Sequence, residues 1–493
     1  MSQPIVPMLI GSEWMEVEVE EYGSVHNPST GEVIARTPLG RAQQVDQAVQ
    51  AGQRAFAHWS RVPAPDRARV MFAYRELLEA QFDDIARLIC RENGKTLDEA
   101  KGDVRRGLEV VEFACGIAHL AKGEHLPQLA DGIDGTTMRE PIGVCAGITP
   151  FNFPAMVPMW MYPIAIACGN AFILKPSEKV PLTANKLGEL FLQAGLPEGV
   201  FNIVHGGREV VDALCTHAGI AAVSFVGSSP VAKHVYEVGT SHGKRVQAAG
   251  GAKNILLVMP DAEPDATVRA VMGAAFGCAG QRCMAGSLLV GIGEAADPLR
   301  QRMVAAMDQL RVEDTLDNPQ AEMGPVIDAA AQQRIRTTIG AAAAQGVAVA
   351  RDGREGVPEQ GFFVGPTLLD QVEPHHQVFD QEVFGPVLSM LHPPDLSAAI
   401  EWCNSLPFGN GASIFTTNGA AAREFAQGIQ CGMVGINLGV PAPMAQFSFS
   451  GWNGSFYGDL HVQGMEGVYF YTRQKTVLTR WGSNYGSVQG WWA

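Results

Sequence analysis

The 493-residue chain predicts an α/β protein: a doubly wound parallel-sheet domain, a second α/β domain and a separate β element. Three observations predict it. Short apolar runs alternate with helical stretches from residue 143 onward, and the rhythm resumes after 262. Two segments near 125–144 and 468–481 belong to neither run of alternation. A chain this long exceeds one simple core, so two or three domains follow.

Residues 41–122 come first and read as helices. "VDQAVQAGQRAFAHW" and "RARVMFAYRELLEAQFDDIARLICREN" space apolar residues at three and four, and Asp66 and Asp98 suit first helical turns. "HLPQLADGIDGTTMREPIGV" at 125–144 has turn residues and little helical period, which predicts a long hairpin. The alternation then opens with "GVCAGI", "AFILK", "GVFNIV", "AAVSFVG" and "NILLVM", with helices starting near 181, 208 and 230. Continuous apolar strands between helices imply a parallel sheet covered on both faces, with ligands at the carboxyl ends of its strands. Residues 262–440 repeat the rhythm, and "VYFYTRQKTVLTRW" at 468–481 alternates like an edge strand. These readings give domain boundaries of 1–124 with 145–251, then 252–445, and a β element at 125–144 with 465–493.

Composition bounds the function. Apolar residues make up 46% and aromatics 8%, enough for packed cores. A net charge of −15 argues against a nucleic-acid partner, which needs a basic footprint. No apolar run reaches the ~18–20 residues of a membrane span. "MVPMWMYPIAIACGNAFIL" at 156–174 is broken by prolines, a glycine and an asparagine, and predicts a buried helix followed by a strand. "MSQPIVPMLIGSEWME" has no basic region before an apolar stretch, so a cytoplasmic location is expected. The nine cysteines include no CxxC pair, which predicts neither structural disulfides nor a metal site. Cys90, Cys115, Cys145, Cys168, Cys215, Cys403 and Cys431 read as packed small hydrophobes.

Two stretches carry chemistry. "FGCAGQRCMAG" at 276–286 places Cys278 and Cys283 among small residues, with Arg282 before the second cysteine. "VQAAGGAKN" at 246–254 offers glycines and a lysine but no acid or histidine to serve as a base. Neither GxGxxG after the first strand nor a Walker A sequence is present. Three predicted strand ends carry candidates instead: Asn152 in "ITPFNFP", Lys175 and Glu178 in "ILKPSEK", and Gly227 and Ser228 in "FVGSS" before a helix N-terminus that favours phosphate.

The order and spacing of "PFNFP", "LKPSE", "FVGSS", "FGCAGQRC" and "EVFGPV" (382–387) resemble the aldehyde dehydrogenase superfamily across essentially the whole chain. "AAFGCAGQRCMA", "INLGVPAPMAQFSFSGW" and "GAKN" are most similar to its CoA-acylating, methylmalonate-semialdehyde branch. The resemblance implies Cys283 as nucleophile and Asn152 as oxyanion donor, and gives Cys278 no role. It implies NAD along the strand ends: Thr149 and Phe151 line it, Lys175 and Glu178 contact the adenosine ribose with Lys179 beside them, Ser228 meets the pyrophosphate, Gly250 allows close approach and Glu382 holds the nicotinamide ribose. A carboxylate at Glu178 would repel a 2′-phosphate, so NAD is preferred over NADP. Ala232 stands where the family often has a second glycine. Arg282 and Arg106 match the branch's arginines for a substrate carboxylate. The 125–144 and 468–481 segments resemble oligomerisation elements, implying a homotetramer with a dimer as fallback.

Many members of the superfamily hydrolyse their thioester with water activated by a glutamate; aligning Lys253 with the family's lysine puts Ala249 at that position. Water has a pKa near ~15.7, whereas a thiol's is near ~8.5. A site lacking the base therefore suits a thiol acceptor, which points to CoA as co-substrate; with the branch's (methyl)malonate semialdehyde as substrate, the resemblance implies oxidation with decarboxylation to propanoyl-CoA or acetyl-CoA. Two alternatives stay open at this level: a hydrolytic aldehyde dehydrogenase using another base, and a nucleotide-binding structural protein without turnover.

Overall fold

The structure, a computed structural model, describes residues 3–316 and 318–481. Strands Val144–Ile148 and Ala171–Lys175 are buried at every residue, as apolar runs covered on both faces must be. They lie in a sheet ordered Glu13–Met15, Met8–Ile10, Phe201–Ile203, Ala171–Lys175, Val144–Ile148, Ile220–Val226, Arg245–Ala249, Phe456–Tyr457. Its five central strands run parallel, and the three outer ones add antiparallel. From Val144–Ile148 the chain order proceeds one way to Phe201–Ile203 and then the other way to Arg245–Ala249. The switch point therefore lies between Val144–Ile148 and Ile220–Val226, where a doubly wound sheet opens its crevice.

The helical reading of 41–122 resolves into Ala42–Trp59, Ala64–Ala80, Phe82–Asn93, Leu97–Cys115 and the short Ile117–Leu120. Asp66 and Asp98 occupy first turns, as the sequence suggested. All twelve residues of Met156–Ala167 are buried, and Leu97–Cys115 packs along it. Gly107 permits that approach, since an added Cβ would overlap the Met159 methyl.

A second sheet is ordered Ala348–Arg351, Thr367–Asp370, Val387–Leu391, Gly286–Gly291, Asn254–Val258, Gly411–Phe415, Met433–Ile436. Only its first strand is antiparallel. This corrects one step of the alternation reading. "NILLVM" does not continue the first sheet; its next strand is Arg245–Ala249, and Asn254–Val258 opens the second. The two strands follow one another with no helix between them, so the strand–helix alternation alone does not assign Asn254–Val258 to a sheet. Each sheet has its own hydrophobic core.

His125–Ala130 and Ile133–Pro141 form the expected hairpin, extended by Thr472–Arg480 in nine antiparallel pairs from Thr472↔Pro141 to Arg480↔Ile133. Two boundaries shift. Val144 belongs to the first sheet rather than the hairpin, and residues 468–470 end a helix, Gly464–Phe470, before the edge strand starts. The 482–493 part of the expected β element lies outside the described residues. Among the described residues no helix is long and apolar enough to cross a membrane, and no group of His, Cys, Asp or Glu is placed to hold a metal.

Candidate active site

Helix Pro264–Phe276 runs into a tight turn, Gly277–Gly280, in which Cys278 and Ala279 both hold φ near 51°. Left-handed backbone at two non-glycine residues needs outside support. Glu99 supplies it: its Oε1 accepts from the Cys278 N–H at 2.6 Å. A Cβ on Gly277 would lie 2.5 Å from Arg282 Cζ, so glycine there leaves room for the guanidinium to pack against the turn. Cys283 follows the turn. Of the nine cysteines it alone is half-buried; the other eight are buried. Its carbonyl accepts from Asn254 Nδ2 at 2.8 Å and Asn410 Nδ2 at 2.9 Å, which occupies both lone pairs. Burial pushes the Cys283 thiol up to about 12, and Glu382 acts in the same direction, so the resting group is a thiol.

Cys283 opens on a cavity of about 440 Å³ that Arg282, Cys278, Arg106 and Phe153 also line. The structure thus brings together the nucleophile candidate and both predicted arginines. The two arginines differ in state. Arg282 places Nε 3.2 Å from Cys278 Sγ, Nη1 3.3 Å from the Gly273 carbonyl and Nη2 3.3 Å from Glu99 Oε1. Of its five N–H groups, two remain. Arg106 holds one partner, Glu109, at 3.1 Å. Beneath them Lys95 and Asp103 form a buried pair at 2.8 Å, and Asp103 Oδ1 accepts from the Met156 N–H at 2.7 Å.

Asn152 is buried in the turn after Val144–Ile148, between Phe151, which lines a second cavity, and Phe153, which lines the first. The turn is pinned on both sides. Asn93 Nδ2 donates to the Phe151 carbonyl at 2.9 Å, and Lys95 Nζ sits 3.6 Å from the Phe153 ring centroid.

The second cavity, about 590 Å³, lies at the switch point. Thr149, Phe151, Lys175, Glu178, Lys179 and Ser228 line it. Lys175 Nζ is 3.3 Å from Glu178 Oε2, and Lys179 pairs with Asp328 at 2.6 Å. Burial opposes ionisation of Glu178, but the two lysines outweigh it and hold the carboxyl below its usual range. Ser228 is the N-cap of helix Ser229–Ser241, and Ala232 packs fully buried inside that helix. Thr149 Oγ1 is buried without a hydrogen-bond partner among the described residues.

Gly250 and Glu382 sit apart from these six. A Cβ on Gly250 would come 2.8 Å from Ser229 Oγ and from the Gly454 carbonyl, so close backbone packing already requires glycine there. Glu382 Oε1 accepts from the Ala252 N–H at 2.9 Å, and burial raises its carboxyl. Ala249 ends its strand in the apolar core with 4% exposure, so no carboxylate occupies the position of the missing base. Lys253 Nζ donates to the Gln381 carbonyl at 2.8 Å, and burial lowers it to about 8.

Glu99, Asp103, Glu109, Asn254 and Asn410 did not emerge as site residues from the sequence. For Glu99 a signal existed: "TLDE" is a capping box, and Thr96 and Glu99 cap each other. For Asn410, inside "PFGNG", there was none.

The aldehyde dehydrogenase family model matches residues 14–477. Malonate-semialdehyde dehydrogenase 2 of Geobacillus kaustophilus is 50% identical over 474 residues, covering 96% of this chain and 98% of that one. The crystal structure of methylmalonate-semialdehyde dehydrogenase from Oceanimonas doudoroffii superposes with a TM-score of 0.96 at 46% identity, covering 98% and 99% of the two chains. A Sinorhizobium meliloti protein assigned as a methylmalonate-semialdehyde dehydrogenase, solved with NAD, gives 0.96 at 43% identity, covering 98% and 99%.

Proposed function

The chain belongs to the aldehyde dehydrogenase family, and from that premise we propose that it oxidises malonate semialdehyde or its methyl homologue with NAD and passes the acyl group to CoA. One observation carries the acceptor choice: Ala249, buried among apolar side chains, stands where a water-activating carboxylate would be needed. The names of the relatives support the substrate class, and the two arginines beside Cys283 suit a substrate carboxylate.

The residues of the switch-point cavity fit a dinucleotide. Thr149 Oγ1 lacks a partner, ionised Glu178 accepts from ribose hydroxyls, and Ser228 opens a helix whose N–H groups favour phosphate. NAD bound there supplies the hydride acceptor. Cys283 Sγ adds to the aldehyde carbon, and the resulting alkoxide takes hydrogen bonds from the Asn152 amide and the Cys283 N–H. Oxidation leaves a thioester on Cys283. With no base for water, a thiolate is the competent acceptor, and CoA leaves as the acyl thioester. A 3-oxo acid oxidised in this way carries a carboxylate on the carbon next to the thioester carbonyl. Before transfer to CoA, loss of CO2 sends electrons into that carbonyl, where the same two donors stabilise the enolate, and the enolate carbon then takes a proton from water. The products are acetyl-CoA from malonate semialdehyde and propanoyl-CoA from its methyl homologue.

On this reading 1–124 with 144–251 hold NAD, 252–445 carry the nucleophile, and the hairpin at 125–141 with strand Thr472–Arg480 serves assembly into a homotetramer. Exposed Leu126, Leu129, Met138, Leu478 and Trp481 on the three-stranded sheet favour that assembly. Turnover with and without CoA tests the function. Without CoA the expectation is an NADH burst near one per active site followed by slow hydrolysis; with CoA, steady turnover and a thioester product. Equal steady rates under both conditions would refute the thiol-acceptor assignment.

A further inference from the structure

Charge inside the substrate cavity is unbalanced. Setting aside Asp103, which is paired with Lys95, the lining includes the carboxylates of Asp98, Glu99 and Glu109 against the guanidiniums of Arg106 and Arg282. An anionic substrate therefore enters a lining with more negative than positive groups, and each arginine already faces a carboxylate of the Leu97–Cys115 helix.

The two carboxylates are not equally held. Glu99 is anchored at several points: Oε1 takes the Cys278 N–H and Arg282, and Oε2 takes the Thr96 N–H at 3.1 Å, with the side chain 14% exposed. Moving it would release the nucleophile turn. Among the described residues Glu109 has one side-chain polar partner, Arg106 Nη1 at 3.1 Å, in a pair whose side chains are 40% (Arg106) and 29% (Glu109) exposed. It lies three residues on along the same helix, where such pairs are weak and solvent competes.

We propose that Glu109 is a displaceable counter-ion of Arg106: the substrate carboxylate takes the arginine by exchange, and Glu109 reclaims it once the carboxylate has left as CO2. Arg282 is the fixed cation of the pair and Arg106 the exchanging one. Glu109 thereby sets how tightly carboxylated aldehydes are held, and keeps that grip loose enough for the carboxylate to be lost. A carboxylate locked in two ion pairs is stabilised as the anion and resists decarboxylation. A competing anion at one of the two arginines removes part of that resistance.

The inference rests on the semialdehyde reading above, and one experiment separates the two. Wild-type enzyme and Glu109→Gln are assayed with CoA on malonate semialdehyde and on propanal, which lacks the carboxylate. Inhibition by 3-hydroxypropanoate, which keeps the carboxylate but has no aldehyde, is measured alongside. Failure of the wild type to oxidise the semialdehyde would sink the functional reading itself. If the wild type is active, removing the competitor should lower the ratio of the semialdehyde KM to the propanal KM by about 2- to 5-fold. The 3-hydroxypropanoate inhibition constant should fall in parallel. A ratio that rises would show that Glu109 orients Arg106 for the substrate, and an unchanged ratio would show that the pair takes no part in binding. Either outcome overturns the exchange.

Discussion

Replacing Arg106 by leucine tests the carboxylate site most directly. The substitution keeps the aliphatic bulk against the cavity wall and removes one of two guanidiniums. What remains is Arg282, with three of its five N–H groups already committed, and Glu109, now without its cation. A hydrogen bond to a charged group contributes ~1.5–3 kcal/mol. Arg106 is 40% exposed, so solvent screening argues for the lower end, ~1.5–2 kcal/mol. That converts to a KM for malonate semialdehyde raised ~10–30-fold. NADH absorbance under saturating CoA gives KM and kcat for the semialdehyde and for propanal. Propanal should change by less than about 3-fold, because no charge partner is lost. Arg105→Leu is the control, since Arg105 pairs with Glu79 at 3.0 Å and stacks over Phe82, away from the cavity. Equal losses on both substrates would place Arg106 outside the substrate site and refute the reasoning.

Cys283→Ala should abolish NADH formation, whereas Cys278→Ala, which removes only the sulfur facing Arg282 Nε, should keep most kcat; retained turnover in the first would end the nucleophile assignment. Because burial pushes the Cys283 thiol up to about 12, its alkylation by iodoacetamide in the ligand-free protein should rise about tenfold per pH unit from pH 7 to 10. A plateau near pH 8, read by peptide mass spectrometry, would reveal a preformed thiolate. Asp103→Ala leaves the Lys95 ammonium buried without its anion, and should lower unfolding free energy by about 3–5 kcal/mol in denaturant titration. A loss under about 1 kcal/mol would mean that water reaches Lys95.

The sheets were legible because strand and helix periods differ and their central strands, such as Val144–Ile148 and Val387–Leu391, are short, buried and mostly apolar. Lys175, Glu178 and Ser228 were legible as candidates because a parallel sheet binds ligands at its strand ends, and all three line the switch-point cavity, whereas Thr149 and Phe151 were named from resemblance. The alternation alone did not assign Asn254–Val258 to a sheet, although the boundary at 252 set it in the second domain, since it follows Arg245–Ala249 by a few residues with no helix between. Arg106 and Arg282 were named from resemblance, but their carboxylate partners were not. Spacing shows which residues share a helix face, but not which loop 180 residues away packs against it. The amides of Asn254 and Asn410 on the Cys283 carbonyl were invisible for the same reason: the two residues lie on or next to neighbouring strands of the second sheet, 156 positions apart in the chain.

The Leu97–Cys115 helix shows how a polar stripe can mislead. Glu99, Gly102, Asp103, Arg106 and Glu109 recur at three- and four-residue intervals, so all five lie along one face. In a lone sequence that stripe reads as the solvated side of an amphipathic helix. Here it lines the cavity that Cys283 opens on, while Val104, Leu108 and Val111 fill the core. Each polar group on it does a different job along the length of the helix. Glu99 holds the turn before Cys283, Asp103 fixes Lys95 and the Met156 N–H, and in the proposed exchange Arg106 with Glu109 meets the substrate's charge. The order follows burial. Groups that must not move lie at the helix start, 14% exposed or less, whereas the exchanging pair lies two turns on with 29–40% exposure, where water lowers the cost of parting them. Rigidity for the nucleophile and looseness for the substrate carboxylate thus come from one helix, set by the depth at which each carboxylate sits.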